Sequence, residues 1–187
     1  MSHLVEDDNN IAVLEFIHYM CTAREPDVLE MGAKRSRAEI STLHKWWIPH
    51  AKSFTGTDFE YGFDVDVLAD AHSMSKTWKE PTFDAIISCA VFEHLEKPWI
   101  VAEEMAKILK PRGAVLVQTH QSFPLHSYPN DYWRFSADAM RVLFHRGIGF
   151  EVRESAYQFP CRIESERDPG GRNHPAYLNI NCFAVKL

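Results

Sequence analysis

The stretch of residues 83–120 constrains the fold of this chain more than any other. It opens with a short apolar run, FDAIISC, whose lack of alternation is typical of a strand buried on both faces, as in a parallel sheet. A helical pattern follows, with Val101, Met105 and Ile108 on one stripe and Pro98 near the start, where its missing N–H costs nothing. A second apolar run, AVLVQT, comes after the helix. Strand, crossover helix and strand predict a right-handed βαβ unit.

The rest of the chain alternates between strand and helix patterns. Such alternation predicts an α/β sandwich around a mostly parallel sheet. The predicted helices cover residues 11–22, residues 36–47 and a segment starting at Ser136, and the predicted strands cover 26–32, 54–59, 65–69, 149–153 and 178–185.

We predict a single domain over residues 1–187, in which residues 1–25 form an N-terminal helix region. In the helix pattern of residues 11–22, the apolar residues Ile11, Leu14, Phe16, Ile17 and Met20 predict the buried side. Residues 156–175 are polar and rich in proline and glycine. We expect them to form a long loop, either a lid over a site or a mobile insertion.

The composition disfavours several classes of protein. The formal charge is -6, so no global basic field attracts nucleic acid. No apolar run approaches the ~20 residues that a membrane-spanning helix needs. The acidic N-terminus does not resemble a signal peptide, and Cys89 and Cys182 lie in apolar runs as buried thiols do. We therefore expect a protein of the reducing cytoplasm, without a membrane partner.

Three acidic residues, Glu30, Asp58 and Asp70, lie at or near the ends of predicted strands. In open α/β sheets, ligands bind at this edge, and a carboxylate beyond the second strand holds the ribose hydroxyls of a nucleotide. Gly32 allows a ligand to approach the backbone before a helix N-terminus. The pattern predicts a nucleoside-type cofactor, although aspartate is also common in turns and caps.

Other site motifs are absent from the sequence. A nicotinamide-binding GxGxxG would need glycine where Lys34 and Arg37 stand, and there is no Walker lysine loop and no GxSxG elbow. The histidines show no HxH, HxxxH or HxxEH spacing. We therefore predict no metal site.

Four motifs together resemble the class I S-adenosylmethionine-dependent methyltransferases, in particular small single-domain members. They are VLEMGAKRSR at 28–37, GTDFEYGFDVDVLADAHSM at 56–74, FDAIISCAVFEHLEKPWIVAEEMAKILKPRGAVLVQTH at 83–120 and FPLHSYPNDYWRFSADAMRVLF at 123–144. The resemblance implies a Rossmann-like three-layer sandwich with a mostly parallel seven-stranded sheet and an antiparallel last strand. It also implies S-adenosylmethionine as cofactor and S-adenosylhomocysteine as product.

The resemblance also implies roles for single residues at the cofactor. Glu30 would orient its amino group, Gly32 would present backbone N–H groups, and Asp58 would hold the ribose. The adenine would lie against Asp70 and Ala71, and the methionine part against Ser88 and Cys89. In place of the family's usual second loop glycine this chain has Lys34, whose side chain must point away from the ligand.

An acceptor hydroxyl or protonated amine must lose a proton during methylation, so the site needs a base. The candidates are Glu93, His94, His120, His126 and Asp131. Of these we predict His120, His94 and Glu93, at the ends of the fifth and fourth strands, and we favour the two histidines because histidine titrates near neutral pH. A histidine at a strand end is also commonly structural. The acceptor pocket is predicted from the polar and aromatic residues His126, Tyr128, Asp131, Tyr132 and Arg134.

These features predict O- or N-methylation of a small-molecule or glycan-type acceptor. A subunit that binds the cofactor without catalysis, or only with a partner, is the main alternative. A nucleic-acid methyltransferase is disfavoured by the acidic charge and by the lack of a (D/N)PP(Y/F) motif. The sequence does not indicate an oligomeric state.

Overall fold

The computed structural model describes residues 10–35, 41, 43–126, 129–164 and 174–187. Within these residues, a 7-stranded sheet has the order β3-β2-β1-β4-β5-β7-β6. Its strands are β1 (Asp27–Met31), β2 (Ser53–Asp58), β3 (Val67–Leu68), β4 (Phe83–Cys89), β5 (Leu109–His120), β6 (Phe150–Ile163) and β7 (His174–Lys186). The helices are α1 (Ile11–Met20), α2 (Pro98–Ile108) and α3 (Ala137–Leu143), with 3₁₀ segments at Lys45–Trp47, Ala71–Lys76, Phe92–His94 and Arg146–Ile148.

The first five strands run parallel, and the chain returns through an antiparallel hairpin. Strand β1 pairs with β2 and β4, and β4 pairs with β5, all in parallel. Strand β7 lies antiparallel between β5 and β6. The predicted Rossmann-like sheet with an antiparallel last strand is therefore confirmed. The strand order reverses between β1 and β4, which is where open α/β sheets bind ligands.

The βαβ unit predicted for residues 83–120 is confirmed as β4, α2 and β5. Pro98 occupies the first turn of α2, where no N–H is needed. The stripe of Val101, Met105 and Ile108 is completely buried and belongs to one core with Ile86 of β4. Helix α3 contributes to the same face of the sheet. The apolar pattern thus determines both the helix and the side of it that packs.

Helix α1 covers the opposite face of the sheet, and its fully buried side agrees with the predicted one only in Phe16 and Met20. Ala12, Val13, Phe16 and Met20 are buried against β1, β4, β5 and β7, whereas Ile11 and Leu14 are exposed. Asn10 caps the helix by accepting the Ala12 N–H at 3.0 Å. The prediction failed because small residues were left out of the stripe, although alanine and valine allow the helix to approach the sheet closely.

Two predicted segments differ from the structure. The long loop expected at 156–175 is wrong for 156–163, which continue β6, and for 174–175, which begin β7. Residues 165–173 lie outside the described residues. Of the helix predicted at 36–47, residues 36–40 and 42 also lie outside, and residues 45–47 form a 3₁₀ turn. In β6, polar residues lie on the exposed side of a long hairpin. In the sequence alone this polar composition is typical of a loop, because nothing there shows that the segment pairs with β7.

Candidate active site

A cavity of about 700 Å³ opens at the carboxyl edge of the sheet, at the switch point between β1 and β4. This is within the range of cavities that hold a cofactor or a drug-sized ligand. Its lining includes Gly32, Asp58, Asp70, Ala71, Ala90, Val91, His94, His126 and Tyr132. Residues predicted at the ends of five different strands therefore meet around one space.

Gly32, directly after β1, lies very close to the loop that follows β4. Its φ is +79°, and a Cβ there would lie 2.2 Å from Cγ2 of Val91. Both conditions exclude an ordinary side chain. The Gly32 N–H donates to the Thr57 carbonyl at 2.9 Å, so it is already used within the protein. The contribution of Gly32 to the cavity is therefore space, rather than the N–H group that we predicted.

Asp58 ends β2 and is 9% exposed, on the cavity wall. Its Oδ2 accepts the Lys34 N–H at 3.2 Å and its Oδ1 accepts the Glu60 N–H at 3.2 Å. A carboxylate has about four acceptor positions, so both oxygens can accept further hydrogen bonds from a ligand. Lys34 avoids positive φ, and its ammonium forms an ion pair with Glu60. Lysine thus replaces glycine in this loop without backbone strain.

Asp70 begins the 3₁₀ segment that forms another wall of the cavity, beside Ala71. Its Oδ1 accepts the His72 N–H at 2.9 Å and contacts His72 Nδ1 at 3.0 Å. Burial raises the pKa of Asp70, but these bonds outweigh it and lower the pKa. His72 Nε2 in turn accepts the Lys97 N–H at 3.2 Å, which ties this wall to the start of α2.

Glu30 is buried in β1 and is not part of the cavity lining. Its Oε2 accepts the His44 N–H at 2.8 Å, and its Oε1 lies 2.8 Å from His44 Nδ1. Burial lowers the pKa of His44, but the neighbouring Cys89 and Glu30 outweigh it and raise the pKa to about 10. Glu30 thus holds an imidazolium behind the cavity, and its predicted role at the amino group of the cofactor stays a prediction.

Ser88 and Cys89, which we predicted at the cofactor, end β4 but do not line the cavity. Ser88 is fully buried, and its Oγ has no hydrogen-bond partner among the described residues. The Cys89 side chain forms a hydrogen bond with His44. The next residue, Ala90, does line the cavity, and its φ of +55° is unusual for a residue other than glycine. The chain turns sharply here, so the last residues of β4 lie behind the wall.

Glu93 and His120, two of the three predicted bases, form a pair beneath the cavity. Glu93 is completely buried, and its Oε2 accepts the Thr119 hydroxyl at 2.6 Å. His120 Nε2 lies 3.1 Å from Glu93 Oε1, and Asn179 of β7 holds its Nδ1 at 3.0 Å. Burial lowers the pKa of His120, and the Glu93 charge acts in the opposite direction. Neither side chain reaches the cavity lining.

His94 and His126 complete this group and do line the cavity. His94 Nε2 lies 3.8 Å from Glu93 Oε1, and its ring is 4.8 Å from that of His126. The His120 and His126 rings are 5.1 Å apart. We refer to Glu93, His94, His120 and His126 as the histidine cluster. The structure therefore joins the predicted bases to one predicted acceptor-pocket residue.

Arg134 connects several parts of the segment between β5 and α3, which we call the segment after β5. Its guanidinium pairs with both carboxylate oxygens of Asp131, at 2.5 and 2.8 Å, and donates to the carbonyls of Phe123 and Pro124. This pairing lowers the pKa of Asp131. Tyr132 lies on the cavity wall. Arg134 and Asp131 are thus structural, and Tyr128 lies outside the described residues.

Sequence reasoning missed His44, His72 and Val91. Val91 and His72 line the cavity, and each follows a strand end within two residues of a predicted site residue, so the position relative to the sheet edge was an available signal. His44 follows no strand, and no signal in the sequence pairs it with Glu30.

Residues 42–117 match the profile of the family described as methyltransferase domain. The structure is also similar to a S-adenosylmethionine-dependent methyltransferase from Archaeoglobus fulgidus, with a TM-score of 0.67 and 15% identity over 98% of this chain and 93% of the other. Residues 42–117 thus match a methyltransferase domain, and the fold around them is one that S-adenosylmethionine-dependent methyltransferases share.

Two further structures extend the comparison of the methyltransferase fold. One is a chain from the complex that the Trm112 methyltransferase activator of Haloferax volcanii forms (TM-score 0.60, 15% identity, 98% of this chain and 92% of that one). The other is the Burkholderia thailandensis 1,6-didemethyltoxoflavin-N1-methyltransferase with its substrate and S-adenosylhomocysteine bound (TM-score 0.64, 14% identity, 94% and 76%). At these identities the likeness shows the fold. No curated protein matches the chain. Every helix in the described part of the methyltransferase is too short or too polar to span a bilayer.

Proposed function

We propose that this methyltransferase transfers the methyl group of S-adenosylmethionine to a small acceptor, which binds in the cavity beside His94 and His126. The observation that carries the proposal is that one cavity at the switch point joins Asp58 to the histidine cluster. The Asp58 carboxylate is suited to a ribose, and the histidine cluster is suited to an acceptor with an exchangeable proton. A small molecule or a glycan hydroxyl fits a site with this lining, and both O- and N-methylation are compatible with it.

For the cofactor, we assign the ribose to Asp58, because this residue lines the cavity and its carboxylate has acceptor positions to spare. Asp70 and Ala71 form the adenine side. Gly32 allows the methionine part to lie against the backbone between β1 and Val91. Glu30 has an indirect role. Its contacts with His44, which also contacts Cys89, fix the ends of β1 and β4 relative to each other.

For the transfer itself, bound S-adenosylmethionine supplies a methyl group that its sulfonium already activates. The chain must orient the acceptor in line with that methyl group, and such positioning can supply much of the rate enhancement. Tyr132, His94 and His126 are placed to hold the acceptor. We assign removal of its proton to the histidine cluster. Glu93 and His120 lie behind this surface and position it.

The test begins with calorimetric titration of the protein with S-adenosylmethionine and S-adenosylhomocysteine. We then expect methyl transfer from labelled S-adenosylmethionine to at least one member of a panel of hydroxyl- and amine-bearing small molecules and glycans. Asp58→Ala serves as the control without cofactor binding. Cofactor binding without transfer to any acceptor would favour the alternative, a cofactor-binding subunit that needs a partner for activity.

A further inference from the structure

The rings of the three histidines in the cluster are all oriented by an oxygen at Nδ1. His120 Nδ1 lies 3.0 Å from the side-chain oxygen of Asn179, and His94 Nδ1 lies 2.5 Å from the backbone oxygen of Asn130. His126 Nδ1 lies 3.3 Å from the Pro124 carbonyl. Carbonyl oxygens only accept hydrogen bonds, so each Nδ1 carries the hydrogen. In the neutral ring this leaves Nε2 with a lone pair.

Two of these nitrogens, Nε2 of His120 and Nε2 of His94, lie near a carboxylate oxygen that accepts no hydrogen bond from the described residues. Glu93 Oε1 is 3.1 Å from His120 Nε2 and 3.8 Å from His94 Nε2. It accepts no hydrogen bond from any residue that the structure describes, although Glu93 is completely buried. Lone pairs this close repel each other, and a buried carboxylate oxygen that accepts no hydrogen bond is costly. A positive charge between them would remove both costs.

We infer that Glu93, His94, His120 and His126 form a binding site for one divalent transition-metal ion, with Zn²⁺ as the best match. One ligand atom from each of Glu93, His94 and His126 lies within 4.8 Å of the other two, and His120 Nε2 approaches the same Glu93 oxygen. Imidazole nitrogen with carboxylate oxygen is a donor set that Zn²⁺ prefers in proteins.

Two distances from Glu93 Oε1 agree with such a site, and the ligand atoms of Glu93, His94 and His126 would have to move closer together than the 4.8 Å within which they lie. Four ligands about 2.1 Å from a tetrahedral ion are separated from one another by about 3.4 Å. The distances of 3.1 and 3.8 Å from Glu93 Oε1 bracket this value. The carbonyl oxygens at Nδ1 match the usual support of metal-bound histidine, in which the second ring nitrogen donates to an oxygen.

The position of the site indicates what the ion would bind. His94 and His126 line the cavity while Glu93 and His120 lie beneath it, so the ion would face the acceptor side. A bound ion favours an oxygen-bearing acceptor, because it lowers the pKa of a coordinated hydroxyl. This last step rests on the proposed function, whereas the metal site does not.

The experiment uses the full chain after dialysis against a chelator. Co²⁺ is titrated in and followed by its visible absorption, which is strong for four-coordinate sites, and Zn²⁺ is then added as competitor. We expect one Co²⁺ per chain, displaced by Zn²⁺, and at least tenfold weaker binding in His126→Ala and His94→Ala. His18→Ala, which removes an exposed histidine of α1, is the matched control and should bind like the wild type.

S-adenosylhomocysteine affinity is measured on the same samples to show that each variant is folded. If Co²⁺ binds His126→Ala as tightly as it binds the wild type, or if the folded wild type binds none, the site is overturned. The Glu93–His120 contact would then be an ordinary proton-bridged pair. If the metal-free protein still binds the cofactor, a failure of the metal site does not count against the proposed function. Loss of methyl transfer after chelation would support an oxygen-bearing acceptor.

Discussion

Replacing Asp58 with asparagine tests the cofactor assignment by changing one atom. Each carboxylate oxygen of Asp58 accepts one backbone N–H, from Lys34 or Glu60. Asparagine offers only one oxygen, and its NH₂ would face either one of these N–H groups or a ribose hydroxyl. We expect a loss of about 1–3 kcal/mol in folded stability and a similar loss in cofactor binding, which is about 5- to 150-fold in affinity.

The assay is calorimetric titration with S-adenosylhomocysteine, together with urea unfolding with and without the ligand. Asp84→Asn is the matched control, because Asp84 Oδ2 accepts the Asp27 N–H at 2.9 Å and the Lys110 ammonium at 2.8 Å at the opposite edge of the sheet. That variant should lose stability and keep its affinity. If folded Asp58→Asn binds S-adenosylhomocysteine within about twofold of the wild type, the ribose does not lie on Asp58.

Three further changes test other parts of the structure. Gly32→Ala should lower the free energy of unfolding by about 2–4 kcal/mol, because of its positive φ and the overlap with Val91, and Val91→Ala should recover part of this loss; strictly additive effects in urea unfolding would contradict the overlap. The pKa of Glu104 is raised by burial but lowered more by Lys107 and a backbone N–H, and the net shift is downward. Its stabilisation is therefore complete above the ordinary pKa of 4.5 and is lost as the pH falls through the lower folded value, so the stability difference of about 1–2 kcal/mol between wild type and Glu104→Gln should shrink in acid; a difference independent of pH would refute this. Arg134→Met should make the segment after β5 more sensitive to limited proteolysis while cofactor affinity stays unchanged, and equal proteolysis rates would show that the Arg134 contacts do not hold the segment.

The βαβ unit of residues 83–120 was predictable from the sequence because its apolar spacing is a local property. Both strands are buried on both faces, and the helix between them has one apolar stripe, so each pattern has one interpretation. Asp58 and Asp70 were placed correctly at the cavity for the same reason. Strand ends can be recognised locally, and parallel strands bring their carboxyl ends to one edge.

Predictions failed where a residue's environment depends on a distant partner. Residues 156–163 have loop-like composition, yet they form a strand because β7 supplies the backbone hydrogen bonds. Glu30 was expected at the cofactor, but His44 binds both of its oxygens. Ser88 and Cys89 were expected in the wall, but the positive φ at Ala90 turns the chain before it reaches the cavity.

The sequence by itself therefore determined the sheet, the edge where the cavity lies and the carboxylates at that edge, because periodicity and strand ends are encoded within a few neighbouring residues. Only the tertiary structure brought His94, His120 and His126 around Glu93, since these side chains come from loops separated by up to 33 positions in the chain and no local pattern relates them. Their spacing and ring orientation follow from Asn179 and from two backbone carbonyls, which approach only after β7 pairs with β5 and the segment after β5 folds back.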